Sequence, residues 1–458
     1  MTDTKTNASL LTAHGADPLS GRFVTPGDTA ISQRALLLAA LSVGSSKIRG
    51  VRASQAVLAT AAALGQLGVR IEMNGPDWQV HGLGVLGLLA PDGPLQAGPG
   101  ASNLALLAGL LAPYDMTVLF SPPPALEDGT ATTLEPLPPA LLDGLGALGA
   151  RVEPQEDGGL KLVGACLPVP LRLDLEQPDE TSKSALLLAG LQVAGESAIH
   201  ERVATHDHGE KLLAAFGADI NVTPDEGDSE GVTIRLNGLP ALQPLGISVP
   251  GDPSAAAFAI VAALIIKGSE LVVANVLINP LRTGLIDTLL EMGGDIQFIN
   301  QRETAGEHIA DLRVRSSWLK GIRISERHGR ALLDDIAPLA IAAAFAQGET
   351  VINGLGGRNT VQDSRLKALV AGLRTNKVGA TLSAESLSLV GDGKVAGGSK
   401  VDSQGDGSLA MSFAVLGLAS RHKVTIKGAE AIADSFPDFV AAMSAAGGKF
   451  PPTKTSKT

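Results

Sequence analysis

The sequence predicts an α/β chain made of six copies of one βαβαββ unit, three to each half. Three observations lead there. Small-residue apolar helices recur at ISQRALLLAALSVG (31–44), ASNLALLAGLLA (101–112), TSKSALLLAGLQVAG (181–195), PSAAAFAIVAALIIKG (253–268), LDDIAPLAIAAAFAQG (333–348) and SLAMSFAVLGLAS (408–420). Each is followed by an amphipathic helix that breaks at glycine before a short strand: AALGQLGVRIE, LDGLGALGARVE, LLAAFGADINV, LLEMGGDIQFI, LVAGLRTNKVGATL and AAMSAAGGKF. The chain also marks its own half. TPGD (25–28) and VPGD (249–252) are near copies, each leading into an apolar helix.

Each element has a local reason. The first helix of every unit is apolar nearly all round and belongs in a core, whereas the second keeps one wet face. Gly68, Gly149, Gly217, Gly294, Gly379 and Gly447 mark the breaks, at intervals of roughly 70 to 85 residues. Glycine at such a break ends the helix in a left-handed turn. That period is long for a solenoid, so three units per half, closing on themselves, is the better reading. Because the first half starts near residue 25, residues 1–24 join 249–458 in one domain and 25–248 form the other. Two strands then cross between the halves near 24 and 249, a hinge over a cleft.

Composition narrows the function. The 458 residues are 45% hydrophobic and 18% charged, enough for two or three domains with sizeable cores. A net charge of −11 argues against binding a polyanion, and 3% aromatics against stacking platforms for single-stranded nucleic acid. A single cysteine leaves no intrachain disulfide and no cysteine zinc site. Cys166, in VGACLPV, reads as a buried strand residue. MTDTKTNASLL lacks the basic and apolar regions of a signal peptide, and the run AAAFAIVAALII (255–266) is too short to span a bilayer. The expectation is a cytoplasmic monomer with no membrane or nucleic-acid partner, ending in a disordered tail over 450–458.

GDPSAAAFAIVAALI, NVLINPLRTGLIDTLLEMGGDI, HIADLRVRSSWLKGI and AIADSFPDFV then carry a resemblance. From about Leu19 to about Lys449 the chain resembles the 5-enolpyruvylshikimate-3-phosphate synthase family, and looks most like its class II, glyphosate-tolerant bacterial branch. The resemblance implies the enolpyruvyl-transferase fold, two domains of three βαβαββ units each (an inside-out α/β barrel). It also implies phosphoenolpyruvate and shikimate 3-phosphate bound in the cleft between them, with no metal and no cofactor. A base and an acid would move protons around a tetrahedral intermediate. Two such anions need a dense ring of Lys and Arg, since a buried phosphate must be paired.

The family's site positions map onto a different set of residues. Where the family has Lys-Ser after its Pro-Gly-Asp turn, this chain has Thr29 and Ala30; the arginine one turn later survives as Arg34. The family's Asn-Ala-Ala-Thr-x-x-Arg aligns with PGASNLA (99–105), which ends in Ala105. The next loop, SPPPALEDGTATTLEPLPP (121–139), has three acids and no base. Asp179, Glu180 and Thr181 stand at the family's Ser-Ala-Gln, with Lys183 fixing the register, and His206 stands at the arginine before its Asp-His. In the second half, Lys-Glu-Ser-Asp-Arg aligns with Val361, Gln362, Asp363, Ser364 and Arg365, and Asp-His-Arg with Asp406, Gly407 and Ser408. Asp334, in LLDDIAP, matches the family's catalytic aspartate, with Asp335 beside it.

Truncating one partner of a buried charge pair typically costs about 2–5 kcal/mol, and micromolar binding is worth roughly 8 kcal/mol in total. Losing five or so cations therefore exceeds what a dianion site can spare. The leading expectation is a divergent homologue that no longer makes enolpyruvylshikimate phosphate, a binding or regulatory protein keeping Arg34 and Arg365 for a smaller or less charged small-molecule ligand. One alternative is a repurposed enzyme using Asp334 as base, in an acidic cleft formed with Asp179, Glu180, Asp335 and Asp434. The other is an active synthase of the shikimate pathway. His206 and His208 in THDHGEK suggest a metal pair; against it, Asp207 and Glu210 suit a capping box on the next helix. Arg282 in NPLRTG reads as a structural helix-start residue.

Overall fold

The computed structural model describes residues 10–98, 100–123, 132–227 and 230–451. The expected disordered tail lies outside the described residues from 452 onward. The chain divides into two compact units. One holds the chain up to Pro26, Gly251–Arg302 and the segment from His308; the other holds Gly27–Pro250 with Glu303–Glu307.

In the Gly27–Pro250 unit the repeat is visible as three four-stranded sheets of one plan. The simplest runs Leu95–Gln96, Thr117–Ser121, Leu160–Val163, Arg151–Pro154, the first pair parallel and the others antiparallel. A parallel pair needs a crossover, and the Ala101–Leu111 helix supplies it. Arg172–Leu175, Glu196–Glu201, Val232–Asn237 and Ile220–Pro224 repeat the plan around the Glu180–Gly190 helix. In the third sheet, Val43–Arg49, Asp77–Leu83 and Arg70–Asn74 take their parallel edge strand from Gly246–Ser248, some two hundred residues away.

The other unit shows the reciprocal arrangement. Ser20–Val24 leads into the Thr29–Leu41 helix by sequence, yet pairs in parallel with Glu270–Leu277. That sheet is completed by Glu307–Arg315 and Asp295–Thr304, a hairpin whose tip, Glu303–Glu307, belongs to the Gly27–Pro250 unit. A second sheet orders Arg323–Ile324, Gln347–Asn353, Ser386–Asp392 and Gly379–Leu382. The last has three strands: Lys400–Asp402, Val424–Lys427 and, antiparallel to it, the N-terminal Leu10–Ala13.

Six helices are buried nearly all round: Thr29–Leu41, Ala101–Leu111, Glu180–Gly190, Pro253–Ile265, Ile336–Ala344 and Gly407–Ala419. Their small residues permit backbone-close packing. A Cβ on Gly109 would sit 2.1 Å from the Ala185 carbonyl oxygen, so only glycine lets the Ala101 and Glu180 helices meet there. Among the described residues no helix is long and apolar enough to cross a membrane.

Three sequence expectations are corrected. The left-handed residue after the fourth amphipathic helix, Gly284–Glu291, is Gly293 (φ 92°), not Gly294. After the fifth, Thr360–Thr375, it is Lys377 (φ 70°), while Gly379 already lies in a strand. Sequence spacing cannot resolve a two-residue shift of a helix end. Cys166 is exposed beyond the end of Leu160–Val163, not buried in it; the nearby Asp115 carboxylate raises its thiol pKa, which keeps it protonated.

Candidate ligand site at the starts of the buried helices

In the Gly27–Pro250 unit three buried helices begin side by side. Asp28 caps the Thr29 helix through its carboxylate on the Ile31 amide (2.9 Å), and Asp179 caps the Glu180 helix on Ser182 (2.8 Å). The Ala101 helix has glycine at its cap, but its first amide donates to Glu135 Oε2 at 3.1 Å. Side chains tie the three starts together. Arg34 of the first helix reaches Glu180 and Ser184 of the third; Thr181 and Ser102 hydroxyls lie 3.5 Å apart; Gln33 donates to Asn103 at 3.3 Å.

Arg34 decides the electrostatics. It is buried, and every one of its nitrogens has a partner within the unit: Nη2 pairs with the Glu180 carboxylate, Nε donates to Ser184 Oγ (3.1 Å) and Nη1 to the Ala30 carbonyl (3.0 Å). Ser184 in turn donates to Glu180 (3.2 Å), closing a triangle. Thr29 and Ala30 are half-buried in the first turn of the helix. Ala105 is fully buried among core side chains, so the position aligned with a family arginine has become part of the hydrophobic packing.

A second charged cluster stands behind these starts. The buried Lys183 ammonium lies 2.7 Å from Glu210 and 3.1 Å from Glu201. Burial alone would lower the Lys183 pKa, but the two carboxylates raise it, while burial raises that of Glu210. The expected capping box is therefore absent: Glu210 is held by Lys183, and Asp207 makes no side-chain cap, pairing instead with Lys211 (3.0 Å). His206 and His208 rings lie 5.7 Å apart. Asp207, His208 and Glu307 do have the spacing of a metal triad, with His208 Nδ1 2.6 Å from Glu307. Lys211 Nζ, however, sits 3.0 Å from Asp207 and 3.2 Å from Glu307, so an ammonium already fills the cation position between the carboxylates.

The other unit repeats the theme. Asp252 caps the Pro253 helix on Ser254 (2.9 Å) and also meets Arg282 (3.4 Å). Asp406 caps the Gly407 helix on Leu409 (2.8 Å) and holds Arg365 Nε at 3.0 Å; Ser408, half-buried, follows it in the first turn. Gln362 is the third residue of a capping box with Asn359, with bonds of 3.1 and 2.8 Å, which explains it structurally. Asp334 is exposed in a short 3-10 turn, and Asp434 is exposed on Ile432–Ser435. Asp335, next to Asp334 in the chain, is half-buried. Burial, with help from Asp252 and Asp334, pushes it up to about 6 against the pull of Ser254 and Arg282.

The family model for EPSP synthase (3-phosphoshikimate 1-carboxyvinyltransferase) matches residues 13–443. The chain belongs to the EPSP synthase family. Within this family, a Parvibaculum lavamentivorans protein named 3-phosphoshikimate 1-carboxyvinyltransferase is 42% identical over 97% of this chain and 97% of its own length. The EPSP synthase structure from Acinetobacter baumannii superimposes with a TM-score of 0.86 at 31% identity, covering 97% of this chain and 99% of that one. The enolpyruvyl transferase NikO from Streptomyces tendae shares the fold alone, at a TM-score of 0.70 and 16% identity over 97% of this chain and all of that one.

Sequence reasoning missed several of the partners found around these helix starts. Ser184 had a signal, because it lies four residues after Glu180 on the same helix face. Glu135 had none, since nothing local ties a Pro-rich loop to a helix start 34 residues earlier. Arg358, which clasps Asp363 (3.2 Å) and the Ala384 carbonyl (2.8 Å), was equally silent.

Proposed function

We propose that this member of the EPSP synthase family does not transfer the enolpyruvyl group from phosphoenolpyruvate to shikimate 3-phosphate. On this reading it is a cytoplasmic monomer that holds one small, hydroxyl-bearing ligand of lower negative charge at the helix starts of the Gly27–Pro250 unit. One observation carries the reading: Arg34, the cation retained at that face, is buried and already neutralised by Glu180. A phosphate would have to displace that carboxylate and then share the site with it, and like charges in a low-dielectric site repel strongly. Hydroxyls at these starts, those of Thr29 and of the mutually bonded Thr181 and Ser102, are the neutral groups offered to a ligand on this reading.

A second reading, an active synthase, draws support from the 42% identity with the Parvibaculum relative of that name. One assay separates them. Purified protein is mixed with millimolar phosphoenolpyruvate and shikimate 3-phosphate, and phosphate release is followed. The proposal expects no release above the enzyme-free rate. Turnover in the ordinary enzymatic range, about 1–10³ per second, would establish the synthase instead.

A further inference from the structure

A separate cavity lies in the unit that begins again at Gly251, at the opposite ends of its three buried helices. It has a volume of about 760 Å³, within the usual range for small-molecule sites. The Pro253, Ile336 and Gly407 helices finish at its wall, where Ile265 and Phe345 supply an apolar floor and the exposed Val390 an apolar lip. Three cations line it: Lys377, Lys394 and Arg421. Asp392 is the one acid of the lining, and its carboxylate accepts from the Lys394 backbone amide at 3.1 Å.

Two features set these cations apart. In a chain of net charge −11, none of the three makes a side-chain ion pair or hydrogen bond with the described residues. Cations near helix ends commonly serve the terminal carbonyls, and these side chains do not. The second feature is Lys377 itself. Gly68, Gly149, Gly217, Gly293 and Gly447 hold the left-handed position after the other five amphipathic helices, whereas Lys377 adopts φ 70° there. A side chain in that conformation costs about 1 kcal/mol or more, a local strain of the kind that gathers at binding sites.

We propose that this cavity binds a small organic anion, a phosphate monoester or carboxylate on an apolar body, with Lys377, Lys394 and Arg421 meeting the charge and Phe345, Ile265 and Val390 the body. The proposal is independent of the reading of the helix starts. Phenyl phosphate is the probe, titrated into the full-length protein by calorimetry, beside inorganic phosphate and phenol. We expect saturable binding of phenyl phosphate in the millimolar range or tighter, weakened by salt. Inorganic phosphate should bind at least tenfold more weakly. The Lys377→Ala/Lys394→Ala/Arg421→Ala variant should bind phenyl phosphate at least tenfold more weakly with an unchanged circular-dichroism spectrum. Arg34→Met, which disturbs the other face, should leave the affinity unchanged. No binding at about 10 mM ligand, ten times the weakest affinity expected, equal affinity for inorganic phosphate, or full affinity in the triple variant would each overturn the proposal. If the triple variant proves misfolded, Lys394→Ala and Arg421→Ala singly carry the same test.

Discussion

Five of the buried-helix starts and the far ends of the Pro253, Ile336 and Gly407 helices are charged on opposite principles. At the starts the chain neutralises itself: Arg34 with Glu180, Arg365 with Asp406, Arg282 with Asp252. Carboxylates of the chain also take up first-turn amides at Ile31, Ala101, Ser182, Ser254 and Leu409. At the far ends of the Pro253, Ile336 and Gly407 helices, Lys377, Lys394 and Arg421 line a cavity without such partners. A helix start attracts anions and a helix end repels them, so the intrinsic field favours the first face. This chain inverts that preference with side chains. Anion capacity is thus a matter of which charges remain uncompensated, more than of where the dipoles point.

Breaking the helix-start side should have the largest effect. Glu180→Ala strips the buried Arg34 of its partner, and an uncompensated buried charge typically costs about 3–5 kcal/mol. Urea unfolding of Glu180→Ala should show that loss, and adding Arg34→Met in the same chain should recover most of it. Asp406→Ala is the comparison, because its pair with Arg365 is partly exposed; lost capping dominates there, at about 0.5–2 kcal/mol. Equal losses in the two single variants would mean that the Arg34 pair is no more sealed than its counterpart.

A smaller effect should appear with pH. Asp335 has a folded pKa of about 6 against an ordinary 3.8, so the folded protein holds a proton that the unfolded chain has released between those values. Its contribution to stability is complete below pH 3.8 and is lost as pH rises through about 6. Asp335→Asn lacks that loss. The melting temperature of the variant relative to the parent should therefore climb between pH 4 and pH 6 and level off above about 6.5. A constant difference across the window would show that Asp335 titrates normally.

How much of this was legible in the sequence follows from the range of the interactions. The buried helices and their order follow from apolar runs and repeated glycine breaks, which are local or repeated signals. The acids at 179 and 180 were readable as hostile to a phosphate, but not as the cap of one helix and the partner of an arginine on another. The latter contact spans 146 residues, and no periodicity encodes it. The His206–His208 pair was readable, but the partner of His208 was not, because Glu307 arrives on a hairpin tip from elsewhere in the chain. Lys377 was hidden by expectation, since a nearby glycine was the natural candidate for the left-handed turn.

That substitution offers the finest test of the contrast between the two ends. Lys377→Gly relieves the left-handed strain but also gives the unfolded chain more freedom, so the net gain should be small, about 0.5–1 kcal/mol. Urea unfolding should move to higher midpoint with an unchanged slope. The same change at an ordinary lysine of a helix interior would destabilise by a similar amount, which makes the sign the informative result. A gain means the chain keeps a less stable residue at the one repeat where its side chain faces an open cavity, and stability has been given up for a charge. A loss means the Lys377 stem packs against Val378 and its neighbours well enough to repay the strain, and the lysine then explains itself without any ligand.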